Sequence, residues 1–228
     1  MKKKIAIIGA GIAGLTLANL LKTKSNFEFV VYEKEEILGV DEGFGIQLST
    51  NSIFILNKIG FNDLNNSEKY HPEKLDFYSI NFNKICDLDL TIFNSANEKY
   101  TTLKRSILVK FLKEKLLSNS IIFGKKVKDV NQSNGKININ FNDGFNDEVD
   151  YLVVADGVFS NTKSVVEKKI FQQNFYGALA IRTHLSNKDI SNLNSNNISL
   201  IMGSGAHIVL YPINKQKELN LVCIVRKK

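Results

Sequence analysis

MKKKIAIIGAGIAGLTLANLL, residues 1–21, decides how the rest of the chain is read. Three lysines ahead of an apolar run have the charge pattern of an export signal, whose hydrophobic part is ~7 to 15 residues long. Here Gly9, Gly11 and Gly14 interrupt the run, no small-residue cleavage site follows Leu21, and Lys22 comes next. A membrane span needs about 20 apolar residues, and Thr16 and Asn19 break this shorter one. The stretch reads better as strand, glycine turn and helix. KKIAIIG is an apolar run closed by glycine, as buried parallel strands are. Residues 12–22 then carry Leu15, Leu17, Ala18 and Leu21 at broadly helical spacing, and after the polar KTKSN the segment FEFVVYE supplies a second strand.

Within such a unit the glycines have separate tasks. Gly9 permits a tight turn, Gly11 lets a pyrophosphate approach the backbone, and Gly14 lets helix pack closely on strand, with the helix N-terminus facing the phosphates. Ala18, one turn on, keeps that packing face small. Glu33 ends the second strand nineteen residues after Gly14, where a carboxylate accepts hydrogen bonds from ribose hydroxyls. The same carboxylate repels a 2′-phosphate, which leaves FAD and NAD as ligands, and this unit does not choose between them. Glycines of an ordinary βα turn are the plainer alternative.

Composition narrows the field. A chain of 228 residues, 43% hydrophobic, has room for one large globular domain or a domain and a half. The net charge of +7 comes without a basic block or aromatic–basic alternation, so no nucleic-acid partner is expected, and attraction for anionic cofactors is a minor consequence. Cys86 and Cys223 sit apart in apolar segments and read as free thiols in a reducing, cytoplasmic compartment. His71, His184 and His207 are scattered, which predicts no metal site. No integral membrane segment is expected.

In GFGIQLSTNSIFILNKIGF, residues 43–61, Ser49 or Thr50 is expected to cap a helix with Ile53, Leu56 and Ile59 on one face, stopped by Gly60. Gly43 and Gly45 flank Phe44, which suits backbone lying against a flat ligand and suits simple packing equally well. LKRSILVKFLKEKLL, residues 103–117, predicts a helix with Leu108, Phe111, Leu112 and Leu116 inward and Arg105 at its positive end; in the alternative, Arg105 is solvated just before a Ser106 cap. A cation there is disfavoured by about 0.3 to 1 kcal/mol, so an anionic ligand is one reading and a solvated arginine the other. KKVKDV and KININF, joined by the turn NQSNG, and EVDYLVVADG read as three strands. The last delivers Asp156 at its carboxyl end, where open α/β sheets bind ligands, and Gly157 releases the chain into a helix capped by Ser160.

From Phe175 the pattern changes to strands, GALAIRTHL, NISLIMG, AHIVLYPI and LNLVCIV, separated by loops rich in Asn and Ser. LDFYSINFNKICDLDL, residues 75–90, is expected to add strands to the same sheet. Alternation along AHIVLYPI puts His207, Val209 and Tyr211 on one face, with His207 and Tyr211 ~13 Å apart at ~3.3 Å per residue.

Taken in order, GAGIAG, YEK, GFGIQLSTN, the Arg105 helix and LVVADGVFS resemble the FAD-dependent aromatic hydroxylases of the para-hydroxybenzoate hydroxylase type. GFGIQLSTN and HIVLYPI are most similar to the salicylate and 6-hydroxynicotinate monooxygenase branch. The resemblance implies an α/β fold: a Rossmann-like FAD-binding domain, residues 1–72 and 101–172, with an incomplete substrate-covering β-sheet domain, residues 73–100 and 173–228. It implies FAD as cofactor, NAD(P)H as co-substrate, O2 as oxidant and a small phenolic or heteroaromatic substrate, and leaves a homodimer open. Its cofactor-binding positions fall on Gly9, Gly11, Ala13, Gly14, Glu33, Lys34, Gly45, Arg105, Val127, Asp156 and Gly157. Its substrate-contacting pair falls on His207 and Tyr211, the histidine helping to remove the phenolic proton, a task suited to a side chain that titrates near neutrality. A structural histidine in a half-buried strand is the competing reading. Gln47 is a lesser candidate, and Arg182 and His184 are left unassigned.

The departures from the family matter as well. No later Gly-Asp segment for the flavin follows LNLVCIVRKK, so the chain looks like the N-terminal part only, and an inactive FAD-binding fragment is one alternative. Hydroxylation of a quinone precursor is another. Lys163 stands where the family has arginine, keeping charge but losing the planar fork. A related halogenase is disfavoured because those enzymes use tryptophan-bearing motifs and this chain has no Trp.

Overall fold

The computed structural model describes residues 2–39, 43–172, 174–186 and 193–226. The opening stretch folds as read, into β1 (Lys3–Ile8), α1 (Ile12–Lys22) and β2 (Phe27–Tyr32). There follow β3 (Gly45–Leu48), α2 (Thr50–Asn57), β4 (Lys69–Tyr70), β5 (Lys74–Ser79), β6 (Lys84–Asp89) and β7 (Thr101–Lys104). Next come α3 (Arg105–Glu114), β8 (Ile121–Ile122), β9 (Val127–Ser133), β10 (Lys136–Phe141), β11 (Asn146–Val149), β12 (Tyr151–Val154) and α4 (Thr162–Glu167). The chain finishes with β13 (Ala178–Leu185), β14 (Ile198–Met202), β15 (Ala206–Pro212) and β16 (Leu219–Arg226). Packing divides it into two units, residues 1–40 with 109–174 and residues 41–108 with 175–228.

The first unit is built on a parallel sheet of order β12-β1-β2-β8. Ile5, Ala6, Ile7 and Ile8 are all buried, so β1 is covered on both faces and its sequence is apolar without alternation. Ala6, Ile8 and Tyr32 form one core with Val127, Ile139, Phe141 and Val149 of the antiparallel β11-β10-β9 sheet. Each large side chain buried there stabilises the fold by about 1.5–3 kcal/mol. The Tyr32 hydroxyl, inside that core, donates to Asp147 at 2.7 Å. The β9–β10 turn needs left-handed backbone at two successive residues, and Asn134 and Gly135 supply it with φ of 50° and 73°.

EVDYLVVADG is two strands where one was expected. Asp150 sits at the join, accepting from the Lys4 backbone N–H at 2.9 Å and from the Lys3 and Lys136 ammonium groups at 3.1 and 3.0 Å. β11 therefore pairs antiparallel with β10, while β12 pairs parallel with β1 and ends at Val154, two residues before Asp156. Asn19, which looked like an interruption of the apolar run, is 3% exposed. Its amide donates to the carbonyls of Leu15 and Leu112, both at 2.8 Å, pinning α1 to α3.

The second unit holds a six-stranded sheet of order β13-β16-β15-β14-β5-β6 and a small sheet of order β3-β7-β4. Residues 75–90 do join the sheet of the later strands, through the parallel pairing of β5 with β14. Residues 43–72 and 101–108 were expected with the cofactor domain but pack in this unit. The reason is specific: Gly45 donates its N–H to Asn220 Oδ1 at 2.6 Å, and the Thr102 hydroxyl donates to the Pro212 carbonyl. Ile53 and Leu56 of α2 are buried as read, and Gly60, at φ 83°, follows the helix. Ser49 occupies the cap position without a capping bond, its hydroxyl going to Asn51 instead.

Leu108, Phe111, Leu112 and Leu116 are all buried, as their spacing predicts. The helix begins at Arg105 itself, so Ser106 lies inside it and is not its cap. Asn161 is the residue before α4, and the Ser160 hydroxyl oxygen accepts from the Lys163 N–H at 3.0 Å. Cys86 and Cys223 are free thiols. The Asn- and Ser-rich connection at residues 187–192 lies outside the described residues. Among the described residues, no helix is long and apolar enough to cross a membrane.

Candidate functional site

Three glycines of the β1–α1 turn are held by three different constraints. Gly9 has φ 105°, and a Cβ there would stand 2.6 Å from the Ala155 carbonyl oxygen. A Cβ at Gly14 would stand 2.0 Å from the Gly9 carbonyl oxygen. Both are glycine because the protein leaves no room. Gly11 differs: its φ of −76° is open to any residue, and a Cβ would meet nothing within 4 Å. Gly11 is also the residue before α1, and the helix has neither a side-chain cap nor an acidic residue in its first turn. Its leading N–H groups thus carry the positive end of the helix dipole with no cap or first-turn carboxylate of the helix's own to answer it.

Two carboxylates flank this turn. Glu33, just past β2, accepts from the Ala10 N–H at 2.8 Å through Oε2 and from the Glu35 N–H at 3.1 Å through Oε1. Each oxygen keeps a further lone pair, so the side chain is fixed in direction and still able to accept. Asp156 lies against Gly9, with its Cα 2.8 Å from the position a Gly9 Cβ would take. Its Oδ2 accepts a long bond of 3.4 Å from the Thr162 N–H, while Oδ1 is buried with no hydrogen-bond partner. A buried carboxylate oxygen without a donor is costly, and such atoms mark places where a ligand or water completes the structure. Gly157 follows in the left-handed region at φ 83°.

The remaining cofactor positions are placed less pointedly. Ala13 is exposed in the first turn of α1. Lys34 is exposed and pairs with Glu35 at 3.6 Å. Val127 is buried in the core with Phe141, so its side chain is spoken for and only its backbone is free to touch a ligand. Gly45 belongs to the second unit, where a Cβ would stand 2.7 Å from Asn220, so packing alone requires glycine there. Gly43 is likewise crowded, by Ser106 at 2.5 Å. Arg105, also in the second unit, is exposed, and its N–H donates to the Phe44 carbonyl at 3.0 Å.

In the sheet of the second unit, His207 faces a cavity of about 590 Å³. Ala178, Ala180, Ile224 and Arg226 line it too, and pairing of β13, β16 and β15 puts these side chains on His207's side of the sheet. Tyr211 is on the same face but not in that lining: it is 3% exposed, packed with Leu90, Ile198 and Ile213 near Tyr100. Burial pushes the Tyr211 phenol up to about 12, against a smaller opposing pull from Arg182. The Tyr100 hydroxyl donates to Gln47 Oε1 at 2.7 Å. His184 lies 3.5 Å from Glu218, and Arg182 stands over the Phe44 ring at 6.0 Å.

A model of the NAD(P)-binding Rossmann-like domain matches residues 7–41. The FAD-dependent monooxygenase esdpE of Penicillium shearii is 31% identical over 166 residues, 72% of this chain and 34% of that protein. The 6-hydroxynicotinate 3-monooxygenase of Bordetella bronchiseptica is 27% identical over 168 residues, covering 71% of this chain and 43% of the relative. This chain is a relative of the FAD-dependent monooxygenases. It spans less than half the length of either. HpxO of Klebsiella pneumoniae, solved with FAD and uric acid, superposes at a TM-score of 0.84 with 20% identity, over 99% of this chain and 57% of its own, and so shares its fold.

In this relative of the monooxygenases, sequence reasoning passed over Asn19 and Asn220. Asn220 is fully buried and its Nδ2 has no partner, because Gly45 fixes Oδ1 as the acceptor. Its only sequence signal is a polar residue inside the apolar run LNLVCIV. The residues of the β1–α1 turn fit a dinucleotide: open backbone at Gly11, an uncapped helix end, and acceptors at Glu33 and Asp156.

Proposed function

We propose that this chain carries the cofactor-binding and substrate-facing parts of an FAD-dependent aromatic monooxygenase that uses NAD(P)H and O2. The observation that carries the reading is Gly11: glycine is needed there by nothing in the protein, and a pyrophosphate against an uncapped helix end supplies the need. Glu33 would accept from the adenosine ribose hydroxyls, and the bare Oδ1 of Asp156 would accept from a cofactor hydroxyl or a water that it holds. Ala13, Gly14, Lys34, Val127 and Gly157 would contribute backbone or close packing. Bound FAD, reduced by NAD(P)H, would supply the activation of O2, one atom of which enters the ring while the other leaves as water.

The chain's own contribution is binding, orientation and proton handling. His207, on the wall of its cavity, would take the proton from a ring hydroxyl, leaving a phenolate whose carbons are richer in electrons. Ala178, Ala180 and Ile224 give that wall an apolar surface suited to a flat ring and poor for water. Tyr211, with its phenol held near 12, stays neutral throughout the working range and can act as a donor or a packing surface but not as a base. The substrate is therefore a small phenolic or heteroaromatic compound. Replacing His207 with Asn should lower turnover by about 10²- to 10⁴-fold. Unchanged turnover would take His207 out of the mechanism.

A further inference from the structure

The second unit contains another, smaller cavity of about 180 Å³, with Asn62, Asn66, Lys69, His71, Lys99 and Thr101 on its polar wall. Among the described residues no carboxylate lines it. Lys69, on the short strand β4, is 6% exposed. An ammonium offers three donors, and this one has a long hydrogen bond of 3.4 Å to the Asn62 carbonyl and the Phe61 ring at 5.3 Å. A buried charge so thinly satisfied is expensive. Burial holds the Lys69 ammonium below the ordinary lysine range, with Asp63 pulling it back up and Lys215 pressing it down.

His71 completes the arrangement at the more accessible edge. Its Nδ1 lies 3.3 Å from the Tyr100 carbonyl and 3.1 Å from the Thr101 hydroxyl oxygen. That hydroxyl already gives its proton to the Lys99 carbonyl at 2.7 Å, so both neighbours accept and Nδ1 must carry hydrogen. Nε2 is left as the atom that gains or loses a proton. Burial lowers the affinity of His71 for that proton, the Tyr100 carbonyl raises it, and Lys69, Lys99 and Lys215 lower it. Three cations thus converge on one imidazole, with Asp63 the carboxylate acting on Lys69.

We propose that this cavity binds a phosphate-type oxyanion, held by Lys69 at its buried end, by Lys99 and His71 at its edge and by the side-chain amides of Asn62 and Asn66. Its volume is well below the ~300–1,000 Å³ of pockets for drug-sized ligands, which suits an ion or the headgroup of a short phosphate monoester. An oxyanion would accept the unused Lys69 donors in charge-assisted bonds, the strong class of hydrogen bond. It would also turn the repulsion on His71 into attraction. The assignment is independent of flavin binding, because none of these residues belongs to the cofactor set.

The test follows the imidazole of His71 by NMR in the whole chain, titrated with inorganic phosphate, with methyl phosphate, and with sodium chloride at matched ionic strength. Phosphate should give a saturable shift and raise the His71 midpoint by about one unit. Lys69→Met should weaken binding about tenfold or more, and Lys99→Gln, at an exposed position, should weaken it several-fold even if the first variant does not fold. Saturation by both phosphates identifies a site for monoesters, and saturation by inorganic phosphate alone a site for the free ion. A response to sodium chloride equal to that to phosphate, or phosphate binding unchanged in both variants, overturns the assignment.

Discussion

At the scale of single residues, the three glycines of the β1–α1 turn separate folding from function. Gly14→Ala drives a methyl group into the Gly9 carbonyl, at 2.0 Å in the unrelaxed backbone. Urea denaturation should register a loss of about 1–3 kcal/mol or more, the range of overpacked sites. Asp156→Ala should behave oppositely. It removes a carboxylate oxygen that is buried without a donor, so stability should be kept or gain up to about 1–2 kcal/mol while flavin affinity falls, the usual trade at a binding site. Thermal melts paired with flavin titration read both effects, and a marked loss of stability would assign Asp156 to the fold alone. The glycines were legible in sequence because a dinucleotide turn demands particular backbone freedom at fixed spacing, and Asp156 because it follows an apolar strand at the ligand-binding end of such sheets. Asn19 and Asn220 were not, since only the positions of Leu112 and Gly45 in space reveal what they bond.

At the scale of elements, hydrophobic period found the longer strands and helices; the short strands β3, β4, β7 and β8 hold too few residues for a period to register, and elsewhere a side chain overrules the period. Asp150 is the clearest case. Its carboxyl is held well below the usual carboxylate range by the Lys4 backbone N–H, then by Lys136 and Lys3. A depressed folded-state value means that the stabilisation is present above the unfolded value of ~3.9 and is lost as pH falls through and below it. Wild type should therefore melt above Asp150→Asn at pH 7, and the gap should close as the solution is acidified past pH ~4. A gap that stays constant with pH would mean that the charge of Asp150 does not hold β11 and β12 apart. α3 starts at Arg105, where the chain enters it from β7 through the Arg105–Phe44 backbone bond, so Ser106, the alternative cap, lies inside the helix.

At the scale of the whole molecule, the sequence conveyed an α/β unit with a dinucleotide turn and a separate sheet. It did not convey where one compact unit gives way to the other. Periodicity reports which face of a strand is covered, not by which sheet, and residues 43–72 read as a continuation of the first unit until Gly45 is seen against Asn220. Likewise alternation put His207 and Tyr211 on one face, but only packing separates a histidine on a cavity wall from a tyrosine buried among Leu90, Ile198 and Ile213. In the function proposed above, the β1–α1 turn holds the pyrophosphate of FAD at Gly11. Calorimetric titration of FAD into the folded wild-type chain and into Gly11→Val tests it most directly, because a side chain at this position meets open space. The account predicts saturable one-to-one binding by wild type and loss of binding by the variant at an unchanged melting temperature. Equal affinity in the two proteins, or no heat from a folded wild type, would contradict it.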